Sequence, residues 1–96
     1  MTKLEGMLGL AARAGKVASG SQAVEAALKN GAALVLADAG ISARSLEELT
    51  KACNGKPPCI LKNGLLGQAI GKPGRMIAAV TDDGFGKKIS ELIALQ

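Results

Sequence analysis

Two uninterrupted apolar runs constrain this chain most: Ala33-Leu34-Val35-Leu36-Ala37 and Met76-Ile77-Ala78-Ala79-Val80. Each has the length of a strand. The first lies between Gly31 and Asp38, and the second between Arg75 and Thr81-Asp82. A half-exposed strand alternates polar and apolar residues. A continuous run reads as a strand covered on both faces. Covering both faces requires helices on both sides, and the intervening segments have helical spacing.

Thr2-Lys3-Leu4-Glu5 fits a capping box, followed by Leu4, Met7, Leu8 and Ala11 on one face. This helix should end at Ala14, with Gly15 free to turn left-handed. Lys16-Val17-Ala18-Ser19 reads as a short extended piece. Gly20-Ser21 opens a second helix, in which Ser19 and Gln22 have capping-box spacing. Its stripe is Val24, Ala27 and Leu28, and Asn30-Gly31 stops it. Asp38 to Ile41 reads as a loop. A third helix is predicted from about Ala43 to Ala52, with Leu46, Leu49 and Cys53 facing inward. Pro57-Pro58 enforces an extended approach to a strand at Cys59-Ile60-Leu61. Leu65, Leu66, Ala69 and Ile70 form a short helix, broken by Gly71-Lys72-Pro73-Gly74-Arg75. Thr81 to Gly84 offers capping groups to a last helix, from about Asp83 to Leu95, that buries Phe85, Ile89, Leu92 and Ile93. Strands thus alternate with helices, which argues for an α/β protein, a three-layer α/β/α sandwich.

Ninety-six residues are expected to form one domain, 1–96. Phe85 is the only aromatic residue, so Ala, Leu, Ile, Val and Gly must fill the core and the helices must pack closely. No run approaches the roughly 20 apolar residues of a membrane span. The first residues lack the apolar stretch of a secretory signal, so a cytoplasmic protein without membrane contact is expected. The absence of histidine excludes Ser-His-Asp and Cys-His nucleophiles and makes a zinc site improbable. Cys53 and Cys59 have the spacing of a short disulfide loop, but apolar flanks and no signal read as reduced, buried thiols. No catalytic residue, cofactor or metal is expected.

Two stretches approach a phosphate-binding loop. Gly67 to Lys72 has three residues between its glycines where the motif needs four, and Pro73 stands where Ser or Thr would hold magnesium. Gly9 to Lys16 has five. Neither can wrap a triphosphate. Asp82-Asp83 reads as capping rather than as an acid/base pair. The cations are more informative. Twelve basic against eight acidic side chains give +4, compatible with nucleic acid. Arg13 and Lys16 flank the end of the first helix. Ser19, Gly20, Ser21 and Gln22 open the second, and Lys72 and Arg75 sit among Gly71 and Gly74. If these loops share one end of the sheet, they form a surface able to hold a phosphate backbone and touch base edges. The other reading is scattered, solvated charge. With almost no aromatic surface, an RNA mode would rest on hydrogen bonds, charge and shape.

The run Leu8-Gly9-Leu10-Ala11-Ala12-Arg13-Ala14-Gly15-Lys16, then Ser19-Gly20, Leu34 to Ala37, Leu66-Gly67-Gln68-Ala69-Ile70-Gly71-Lys72 and Ala79-Val80-Thr81-Asp82, ending at Gly84-Phe85, resembles the small bacterial YlxQ-type proteins. These belong to the superfamily of kink-turn-binding ribosomal proteins. The resemblance spans nearly the whole chain. It implies a mixed four-stranded sheet within the sandwich. It also implies RNA binding without catalysis, often at a kink-turn, a sharply bent helix–bulge–helix. The RNA grip would fall on Gly20 to Ala26 and on Gly71 to Arg75. The best-known kink-turn binders follow the glycine with a small hydroxyl residue, Asn and Glu, and place a Lys three residues after the Glu. Ser21, Gln22, Ala23 and Ala26 stand at those positions here. The implied partners are structured RNA, ribosomal in kind, and other ribonucleoprotein components, with the free protein a monomer. A protein-interaction or assembly module on the same fold, with only generic RNA affinity, is the alternative.

Overall fold

The computed structural model describes residues 2–95. Nine elements follow one another in these residues: α1 Lys3–Arg13, β1 Val17–Ser19, α2 Ser21–Lys29, β2 Leu34–Asp38, α3 Ala43–Ala52, β3 Cys59–Leu61, α4 Leu65–Ile70, β4 Ile77–Val80 and α5 Asp83–Ala94. The sheet order is β1-β4-β2-β3. β4 runs antiparallel to both neighbours, and β2 and β3 are parallel, so the four-stranded sheet is mixed. The two apolar runs are its inner strands, β4 and β2, as their composition requires.

Strand alternation sends neighbouring residues to opposite faces, and the core divides accordingly. Leu36, Leu61, Ala78 and Val80 pack with Leu4, Leu8 and Ala11 of α1, Leu66 of α4 and Ile89 of α5. Ala37 and Ala79 face the other way, against Val24 and Ala27 of α2 and Leu49 of α3. The result is an α/β/α sandwich with three helices on one face and two on the other. Each fully buried Leu or Ile contributes roughly 1.5–3 kcal/mol of transfer free energy. The scarcity of aromatics shows in close helix approaches. A Cβ on Gly9 would lie 3.1 Å from the Ala69 carbonyl, and one on Gly86 would lie 2.8 Å from the Ala33 Cβ. Phe85, Leu92 and Ile93 are half-buried, and Gly86 and Ile89 carry the tightest part of the α5 contact.

The capping box at Thr2 is present: Glu5 N–H donates to the Thr2 hydroxyl at 3.2 Å, and Thr2 N–H donates to the Glu5 carboxylate at 3.4 Å. Ser42 caps α3, and Asp82 caps α5 through a 2.9 Å bond from Phe85 N–H. The box expected from Ser19 and Gln22 does not form. The N-cap of α2 is Gly20, with no side-chain cap. Ser19 is instead held in β1 opposite Ala78, and this backbone pairing outweighs a local cap. Thr81 likewise caps nothing; its hydroxyl donates to the Lys16 carbonyl at 3.2 Å.

The first apolar run is displaced by one residue, because β2 extends through Asp38 rather than ending before it. Asp38 is fully buried. Its carboxylate accepts from Gly40 N–H and from Gly64 N–H, each at 2.7 Å. Two amide donors let a polar side chain end a buried strand. The bond to Gly64 also fixes the start of α4, whose N-cap is that glycine. Met76 falls outside β4 and is 37% exposed. Among the described residues, no helix is long and apolar enough to cross a membrane.

Cys53 and Cys59 are both free and half-buried rather than sealed in the core. They line one shallow concavity with Ala32, Asn54 and Pro57. Burial pushes the Cys53 thiol above its ordinary pKa, against a smaller opposing effect of Lys56. The nucleophile is the thiolate. Alkylation of Cys53 at pH 8 should therefore trail that of a free cysteine and climb as the pH is raised further. A rate equal to the free thiol's at pH 8 would contradict this.

Candidate nucleic-acid interface

The site is set by how β1 and β4 run. They are antiparallel, so the end of β1 and the start of β4 meet at one corner. The β1–α2 turn and the glycine-rich loop of residues 71–76 therefore lie side by side. Gly20 makes the turn with φ +89°, a conformation suited to glycine. Its N–H donates to the Ile77 carbonyl at 3.2 Å. The Arg75 guanidinium reaches back and donates from Nη1 to the Ser19 carbonyl at 3.3 Å. A shallow concavity is lined by Ser19, Gly20, Ser21, Gln22, Ala23 and Arg75.

Gly67 shapes the glycine-rich loop. Lys72 N–H donates to the Gly67 carbonyl at 2.8 Å. A Cβ on Gly67 would stand 2.8 Å from the Lys72 carbonyl and 3.0 Å from Gly74 N. The loop thus folds tightly onto α4 only because position 67 has no side chain. Gly71 ends α4 in the left-handed conformation, and Gly74 has φ +89°. Lys72 shares a second concavity with Ala12, Val17, Ser19 and Ile70. This places it beside the end of α1 and along the outer edge of β1.

The structure brings Ser19, Gly20, Ser21, Gln22 and Arg75 together, with Lys72 close by. Arg13 and Lys16 lie elsewhere. Lys16 enters β1 from its far end, where its carbonyl accepts from Thr81 N–H at 2.9 Å, whereas the Arg13 guanidinium lies over Gly9 of α1, on the side that meets the Ala69 carbonyl of α4. Lys16 and Gly20 are separated by roughly 13 Å of extended chain. The expected single loop cluster is therefore a corner, with Lys16 at the other end of the edge strand and Arg13 on α1 beside α4.

The first turn of α2 has unsatisfied amides. α1, α3 and α5 each begin with a side chain that accepts a first-turn N–H, whereas α2 begins at Gly20 without one. Such amides, beside a guanidinium, suit an anionic group. A groove between α2 and α3 is different. It is lined by Val24, Leu28, Leu49 and Ile77, and Glu25 and Glu48 also line it. Those carboxylates repel phosphate, so the Gly20–Arg75 corner is the better anion surface. Sequence reasoning missed Asp38 and Gly67 as supports of this corner. Asp38-Ala39-Gly40 does carry a local turn signal, but nothing local points to Gly64.

No protein-family model matches the chain. It is 40% identical over 91 residues to the RNA-binding protein YlxQ of Bacillus subtilis (strain 168), covering 91% of each chain. It is 32% identical over 95 residues to the RNA-binding protein YlxQ of Enterococcus faecium, covering 95% of this chain and 91% of that one. Its fold matches a solved structure from Bacillus halodurans, described as a protein of unknown function, with a TM-score of 0.89 and 34% identity. That match covers 98% of this chain and 99% of the other. At this identity and coverage, the chain belongs to the YlxQ family of RNA-binding proteins.

Proposed function

We propose that this chain is a non-catalytic RNA-binding protein of the cytoplasm, associated with the ribosome, acting as one kink-turn-binding-type domain over residues 1–96. It recognises structured, kink-turn-like RNA through the start of α2 and the loop before β4. The observation that carries this reading is the junction of those two segments at Arg75 and Ser19. The names of the YlxQ relatives support RNA as the partner. In this reading Ser21, Gln22 and the free amides after Gly20 face base edges and phosphates. Lys72 contacts phosphate from the glycine-rich loop held by Gly71 and Gly74. Arg13 and Lys16 extend the electrostatic footprint beyond the corner, onto α1 and the far end of β1.

The test is a salt titration of binding to a kink-turn RNA beside a straight duplex of equal length. The kink-turn should bind at least about tenfold tighter, the effect of roughly one good base contact. Lys16→Ala and Lys72→Ala should each weaken binding and flatten the salt slope by about 0.7–0.9. Equal, weak and steeply salt-dependent binding to both RNAs would overturn the reading and leave the assembly module in its place.

A further inference from the structure

We infer that Arg75 is a guanine-reading residue seated by Gly20, and not simply one more neutralising charge. This rests on the RNA reading above and deepens it.

Two observations separate Arg75 from the other cations of the corner. Its Nη1 donates to a main-chain carbonyl, that of Ser19, 56 residues away in sequence. The same nitrogen occupies the space that a Cβ on Gly20 would take. Position 20 is thus constrained twice, by its left-handed φ and by the guanidinium lying on it. A phosphate contact made by a point charge needs no such seat. A guanidinium is planar, with five N–H donors in a fixed fork. One bond to a backbone carbonyl sets the position of that fork and leaves its other donors free.

The concavity beside it suits a base. Arg75 shares it with Gln22 and with the small apolar Ala23. A free guanidinium edge matches the O6 and N7 acceptors of guanine, and a Gln amide matches an adenine edge. In RNA these edges become accessible where bases leave the regular helix, at bulges and loops. A corner built from backbone, one guanidinium and one amide therefore selects by base identity as well as by charge.

The experiment uses the full chain and a kink-turn RNA at fixed salt. Arg75→Lys keeps the charge and removes the fork. It should lose affinity about as much as Arg75→Ala, roughly tenfold. RNAs carrying 7-deazaguanosine at one guanine at a time lack a single N7 acceptor. One of them should bind the native protein about tenfold more weakly and bind Arg75→Ala no more weakly than the unmodified RNA does. Gly20→Ala should lose at least as much as Arg75→Ala, because its Cβ displaces the guanidinium and the positive φ of the turn disfavours any side chain there. Arg75→Lys binding like the native protein, with every 7-deaza position acting equally on native and Arg75→Ala, would overturn the inference. If Lys72→Ala still weakened binding in that case, the RNA reading would survive. If it did not, both would fall.

Discussion

Replacing Asp38 by Ala should lower stability by about 3 kcal/mol, the sum of two bonds to a charged acceptor partly offset by water reaching the exposed Gly40 and Gly64. The carboxylate is fully buried at the end of an inner strand, so its removal also leaves a small void against the sheet. Asp38→Asn retains one acceptor oxygen and should lose about half as much. The effect should extend to RNA binding. Gly64 opens α4, and the far end of α4 leads into the loop that carries Lys72 and Arg75. The chain has no Trp or Tyr, so urea unfolding is best followed by helical circular dichroism. An unfolding free energy for Asp38→Ala within 0.5 kcal/mol of native (about the scatter of a neutral surface change) would show that the two amides do not depend on it.

Leu36→Ala should cost about the same, roughly 3 kcal/mol within the 2–5 range of buried leucines. Leu36 sits in β2 opposite Ala78 on one side and Cys59 on the other. It is completely buried against the three-helix layer. Its strand neighbours are small, and the helices above are fixed by close approaches such as Gly9 to Ala69. The vacated space therefore cannot collapse cheaply. Leu10→Ala is the matched control. Leu10 is 47% exposed on the outer side of α1, and its loss should stay within about 0.5 kcal/mol. Similar losses for the two leucines would contradict the assigned core.

These two residues also mark how far the sequence could be read. Leu36 was legible, because a continuous apolar run between turn signals identifies an inner strand by local pattern alone. The caps at Thr2 and Asp82 and the stops at Gly15, Gly31 and Gly71 are equally local. Asp38 was not legible as a buried anchor, because its second amide is 26 residues away. The error at Ser19 has a related cause. Its spacing to Gln22 is right for a cap, but the pairing of Ser19 with Ala78 depends on a strand near the other end of the chain. The site divides in the same way. Cations beside glycines and a helix start were visible residue by residue. That Arg75 would lie on Gly20, while Lys16 enters from the opposite end of β1, depends on the antiparallel pairing of β1 with β4.

That pairing has a consequence for the order of events during translation. β1 contacts only β4 within the sheet, with Val17 opposite Val80. The first strand to leave the ribosome must therefore wait for the last before it has a neighbour. β2 and β3 can pair earlier, but the corner between Gly20 and Arg75 cannot close until the start of β4 has been added. A nascent chain carries Arg13, Lys16 and the Gly20 turn well before Arg75 and β4 arrive to complete the interface.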